Sequence, residues 1–108
     1  PWLPHPLNPL KTDPAGSRPA GSVFVHENRL YRPGQDCSKT YGGAVVIFEI
    51  LQLSPDRFDE RLVARIEPMQ DGPYPDGLHT INSMNGRTVI DGKRHVFTLK
   101  ALLRRFFR

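Results

Sequence analysis

Apolar residues in this chain come in short runs, broken every few positions by proline, glycine or a charged pair. Residues 23–26 (VFVH) and 29–32 (RLYR) flank Glu27-Asn28 and predict two short strands across a two-residue turn, since Asn tolerates the left-handed backbone such a turn needs. Pro33-Gly34 is expected to break the second strand, and the polar stretch through Tyr41-Gly42-Gly43 to form a loop. Residues 44–53 are almost continuously apolar and rich in β-branched side chains. They predict a buried central strand, being too short to cross a bilayer.

Ser54-Pro55-Asp56 predicts a turn. Residues 58–66 then read as a strand with Leu62, Ala64 and Ile66 on one face, ahead of the alternative of a short helix opened by Ser54. Three prolines and two glycines between residues 68 and 77 require a loop. Residues 78–84 and 87–91 flank Asn85-Gly86, the dipeptide best suited to a two-residue hairpin turn. At the end, Leu99, Leu102, Leu103, Phe106 and Phe107 fall at helical spacing among basic residues. This predicts a short amphipathic helix, expected to cover a sheet edge or a neighbouring segment in preference to docking on a membrane.

Six prolines lie within residues 1–22, which biases that segment toward extended backbone and marks it as a lead-in outside the core. The expected organisation is therefore a Pro-rich lead-in (1–22), a β domain (23–95) and a basic helix (96–108). The fold class is all-β, built from antiparallel meander strands. With 108 residues, one core is the ceiling.

The formal net charge of +4 is unevenly placed: residues 93–108 hold six basic residues and no acid. A solvated basic end is the plain reading. Nucleic acid ranks low as a partner because no base-stacking or groove-reading signature interleaves the charges. The single cysteine, Cys37, excludes an internal disulfide and a cysteine zinc cluster, and fits a reducing, cytoplasmic setting. No run approaches the ~18 apolar residues of a membrane span. The start at Pro1 reads as a segment cut from a longer protein.

Several strings are more specific than pattern: HPLNPLKTD at 5–13, SRPAG at 17–21, RLYRPGQDCSKTYGG at 29–43, GLHTIN at 77–82 and TVIDGKR at 88–94. Together they resemble the propeller domain found at the start of plant glucosamine inositolphosphorylceramide transferases and of bacterial proteins that join it to a formyltransferase-like domain. The resemblance implies a segment of a five-bladed β-propeller related to arabinanases and fructosidases, made of later blades. It also implies a limit. Propeller glycosidases draw their paired carboxylates from several blades, mostly earlier ones, so Asp36, Asp59, Glu60 and Asp91 are not read as catalysts.

Arg18, Arg32, Gln35 and Asp36 sit in the recognisable strings, where they can hydrogen-bond sugar hydroxyls or clamp an anionic group, or equally pair to hold a loop. Tyr41 and Tyr31 can stack on a sugar face, though packing at the core edge is the plainer use. By the resemblance His79 would face the propeller axis, but without companions at ligand spacing it reads as a hydrogen-bonded structural histidine, and no metal or cofactor is expected. Cys37 reads as a small buried group, and Asp91 before Gly92 as a turn former.

The functional expectation is a sugar-binding or scaffold surface within a larger glycosyl- or formyl-transferring protein, not a complete catalytic site. The expected ligand is a glycan or nucleotide-sugar, and the expected partners are other blades of the parent. A glycosidase-like or transferase funnel is the alternative, and an interaction module using the basic helix the third reading. Exposed sheet edges predict self-association of the segment on its own.

Overall fold

The computed structural model describes residues 2–96 and 98–106. Six strands and one helix follow in order: β1 (Phe24–His26), β2 (Arg29–Asp36), β3 (Ala44–Ser54), β4 (Arg57–Ile66), β5 (Gly77–Met84), β6 (Arg87–Lys93) and α1 (Leu99–Phe106). The first four form an antiparallel sheet in chain order, and β5 pairs with β6 in a second, two-stranded sheet. The fold is all-β apart from α1, and neither sheet closes on itself.

The turn chemistry is as expected. Glu27 and Asn28 both adopt positive φ between β1 and β2, and Asn85-Gly86 does the same between β5 and β6, the primed geometry that matches strand twist. Pro33-Gly34 does not break β2, which runs on to Asp36 with Pro33 opposite Ile47. The reason lies in which edge loses a donor. The Pro33 carbonyl accepts from Ala20 N at 3.1 Å, so its missing N–H faces the lead-in and costs no bond to β3.

Residues 14–20 turn at 14–16 and then bridge to β2 through Pro19 and Gly34, so they are no free tail. Cys37 N donates to Pro14 O (2.9 Å), Gln35 N to Arg18 O (2.7 Å) and Ile81 N to Ala20 O (2.8 Å), so the lead-in ties β2 to β5. Ala20 is fully buried and belongs to the core with Val45, Ile47 and Leu78, against which Tyr31, Ile66 and Ile81 pack. The expectation that the lead-in lies outside the core fails there. On the opposite face of β3, Phe48 lies under Lys11 (3.6 Å from ring centroid to Nζ) and Arg32 (4.7 Å). Cover on both faces explains why β3 opens as an unbroken apolar run.

The strand reading of β4 holds, but its expected face does not. A register shift leaves Val63 unpaired between Leu62 (opposite Phe48) and Ala64 (opposite Ile47), so alternation resets and Leu62 is exposed while Ile66 reaches the core. The helix α1 is confirmed over Leu99–Phe106, whereas Phe97 and Phe107 lie outside the described residues. Its Leu99 and Leu103 remain exposed, so the expectation that it covers a sheet edge is not met by these two positions.

Candidate functional site

Three segments converge beside the β5–β6 hairpin: the loop after β2, the loop before β5, and β6 itself. The first is opened by Asp36, whose carboxylate accepts from the Ser38 backbone N–H (2.9 Å) and hydroxyl, and from Arg65. The Ser38 bonds, then Arg65, hold the Asp36 carboxyl at a pKa of about 2. Gly42 follows at φ 62°, and a Cβ there would lie 2.9 Å from His79 Cδ2. Glycine alone satisfies both the left-handed backbone and the approach of the ring.

That approach brings Tyr41 onto His79, with ring centroids 5.0 Å apart. His79 Nε2 is 2.9 Å from the Tyr41 hydroxyl and Nδ1 is 3.1 Å from Asp91 Oδ2. An ionised carboxylate only accepts, so Nδ1 carries the proton toward Asp91, and in the neutral ring Nε2 accepts from the Tyr41 hydroxyl. The Arg18 guanidinium lies 5.3 Å from the Tyr41 ring, and Lys93 donates to Tyr41 O and to Thr40 Oγ1 (3.1 Å). His79 owes its aim to a bulge: Leu78 pairs with Gly92 and Thr80 with Asp91, leaving His79 as the extra residue.

Asp91 also lines a groove of about 490 Å³ with Met69, Pro73, Tyr74 and Ile90. The loop wall is fixed from both ends. Asp76 N donates to Lys93 O (3.0 Å), and His95 N to the Asp76 carboxylate (2.6 Å). Tyr74 Cβ would be 2.9 Å from a Cβ on Gly92, so the glycine lets the ring sit on the strand. The described lining of this mostly apolar trough thus includes one acid, Asp91, and one aromatic residue, Tyr74.

Residues 1–92 match the family described as "Glucosamine inositolphosphorylceramide transferase 1, N-terminal". The chain belongs to that family. It is a glycosyltransferase-related N-terminal domain. Relatives named "Glucosamine inositolphosphorylceramide transferase 1" from Oryza sativa subsp. indica and Oryza sativa subsp. japonica are each 44% identical over 62 residues, covering 56% of this chain. One from Arabidopsis thaliana is 36% identical over 61 residues, 55% of this chain. The aligned part is 8% of the length of each of these relatives. No solved structure matches.

Of the six residues singled out from sequence, the fold brings together Arg18, Tyr41 and His79 and holds the other three apart. Arg32 is bound to Glu60 through Nε (3.0 Å) and Nη2 (2.8 Å), and to Gly16 O (2.9 Å). Gln35 is buried and donates to Pro19 O at 2.9 Å. Asp36 is engaged by Ser38 and Arg65, so the loop-holding pairs are Arg32–Glu60 and Asp36–Arg65.

Burial raises the Glu60 carboxyl's pKa, but hydrogen bonds from Arg32 and Lys11 outweigh it and leave the group below its usual range. Cys37 is half-buried, near Gln35 Oε1 (3.6 Å) and Gly42 N (3.5 Å), and Tyr31 stacks on Phe24 with ring centroids 5.3 Å apart. Among the described residues no cluster of three or more histidines, cysteines and carboxylates could hold a metal ion.

Asp91 corrects its expected role. It lies within β6 and orients toward His79, and no turn begins at it. Tyr74 and Lys93 were not singled out from sequence at all. The usable signal was Gly92: a glycine inside a strand pattern marks a place where something approaches the backbone closely, here Tyr74.

Proposed function

We propose that this domain is the glycan-facing part of a larger glycosyl-transferring protein, with the groove beside Asp91 taking a sugar. The observation that carries the reading is the pairing of an oriented carboxylate with an aromatic ring in one trough. Asp91 is held by His79 and its side chain is 63% exposed, and Tyr74 lines the same groove beside Gly92. A sugar offers hydroxyls that donate to a carboxylate and a C–H face that packs on a ring. The names of the relatives, which specify glycosyl transfer, agree with this chemistry. Binding is favoured over cleavage because Asp91 is the one carboxylate among the described lining residues, and glycoside hydrolysis needs two.

The four-strand meander has the connectivity of one propeller blade, and β5–β6 stands as the start of the next. Surface area supports a covered setting. The chain exposes 8656 Å², where a compact monomer of this mass would expose about 6,100 Å². Its radius of gyration is 17.2 Å, against about 13 Å for a compact chain of this length. Further strands of the parent protein are the natural cover for the groove of about 420 Å³ bounded by Val23, Phe24 and Val25 on one side and Ile47, Ile66 and Ile81 on the other.

The test is NMR titration of the chain with glucosamine, N-acetylglucosamine and their uridine diphosphate esters. Shifts confined to residues 69–78 and 89–93, lost in Asp91→Ala and in Tyr74→Ala while the rest of the spectrum is unchanged, are expected. Shifts confined to the β1–β4 sheet, or none, would sink the reading.

A further inference from the structure

Helix α1 has no place in the glycan-facing reading, and its chemistry points elsewhere. Its eight residues Leu99–Phe106 carry no acid in the first turn and Arg104 and Arg105 in the last, a distribution that complements the helix dipole at its C-terminal end. Yet eight residues are too few to be stable as an isolated helix in water. Some surface has to sustain it, and the sheets leave Leu99 67% exposed and Leu103 46%.

Positions 99 and 103 are four apart and share one face, with 100 beside it, 104 farther round on the same side and 105 round on the other. Apolar stripe and flanking cations are the arrangement of a helix lying in a lipid–water boundary, where long basic side chains reach up to the headgroups. Among the described residues none of Arg94, Lys100, Arg104 and Arg105 is engaged in a salt bridge with an acid. From residue 93 to 108 the sequence holds six basic residues and no acid, so the positive field of this end is not neutralised from within.

We propose that α1 docks in the plane of an anionic lipid surface, with Leu99 and Leu103 toward the acyl boundary and Lys100, Arg104 and Arg105 against the headgroups. No helix among the described residues is long and apolar enough to cross a membrane. A nucleic acid would match the charge but would leave the leucines without a use. A lipid surface uses both.

The proposal is tested by flotation of the 108-residue chain with vesicles of phosphatidylcholine alone and of phosphatidylcholine containing about 30 mol% phosphatidylserine. Binding to the anionic vesicles, weakened by salt, absent from the neutral ones and accompanied by a gain of helical circular dichroism, is expected. Lys100→Gln with Arg105→Gln should weaken it roughly 25-fold, at about fivefold per charge. Leu99→Asp with Leu103→Asp should abolish it. These side chains lie outside the β core, so the thermal melt of each variant should match the parent and separate lost docking from lost folding. The proposal is overturned by equal binding to neutral vesicles, by binding indifferent to either pair of substitutions, or by binding of single-stranded RNA with none of vesicles.

Discussion

His79 Nδ1 lies 3.1 Å from the Asp91 carboxylate, and this contact orients the one acid among the described residues that line the groove. The imidazole is pinned from its other side by the Tyr41 hydroxyl at 2.9 Å. Replacing His79 by Ala removes the orienting donor while leaving Asp91 charged and open to solvent. Sugar affinity is expected to fall about tenfold, the effect of losing one charge-assisted hydrogen bond's worth of pre-organisation, with a change in stability below about 1 kcal/mol. His79→Gln, which keeps one donor, should recover part of the loss. Calorimetric titration beside a urea melt checks both quantities, and unchanged affinity in His79→Ala would remove the histidine from the site.

Acid stability should follow Asp36. Its pKa falls from the ordinary 3.8 to about 2 in the folded chain, so the folded state holds fewer protons than the unfolded one between these values. The stabilisation is therefore present above pH ~4 and lost as the pH falls toward ~2, and it amounts to about 2 kcal/mol. Chemical denaturation at stepped pH should show this loss in the parent chain. In Asp36→Asn it should be missing from the pH dependence, and the neutral-pH stability should be lower by a similar amount.

How much of this was legible in the sequence depends on whether the deciding contact is local. Asn85-Gly86 and Glu27-Asn28 carry their turns in their own backbone preferences, so both hairpins could be read directly. Pro33 could not, because whether a proline ends a strand depends on which neighbour its missing N–H faces, and that neighbour is Ala20, far upstream in the chain. The site shows the same divide. Arg18, Tyr41 and His79 were recognisable as polar or aromatic residues in specific strings, but what joins them is a bulge at His79 and a left-handed Gly42, neither of which has a signature in spacing. Arg32 and Asp36 looked equally suited to a ligand, and only the positions of Glu60 and Arg65 on β4 show them engaged within the fold.

Glu60 is the acid on which two cations depend. Its side chain is 8% exposed and meets Lys11 Nζ and Arg32 Nη2 at 2.8 Å each, with Phe48 beneath both cations. Glu60→Gln leaves two positive charges facing each other over an aromatic ring with no counter-ion. Breaking a buried pair on one side costs about 3–5 kcal/mol, and the partial exposure of Lys11 and Arg32 reduces this to about 2 kcal/mol. Because Lys11 and the Gly16 carbonyl belong to the lead-in, hydrogen exchange should quicken first at residues 14–20. A loss below about 0.5 kcal/mol, or faster exchange confined to β5–β6, would show that this cluster does not hold the lead-in.

The groove between β1 and β5 predicts how the chain behaves without its neighbours. Strand β1 is three residues long and, among the described residues, pairs on one side alone, with Arg29, Leu30 and Tyr31. Its outer edge is therefore unpaired, and Val25 beside it is 68% exposed. Ile47, Ile66 and Ile81 line the far side of the same trough, so a strand placed along β1 would gain both backbone bonds and apolar cover. If further strands of the parent normally fill this space, the isolated chain should fill it with another copy of itself. Sedimentation equilibrium at tens of micromolar should give a weight-average mass above that of the monomer. Val25→Lys, which puts a charge on the edge without entering the core, should shift the distribution back toward monomer. A monomer at all concentrations, or association indifferent to Val25→Lys, would mean that β1 is not the surface the parent protein covers.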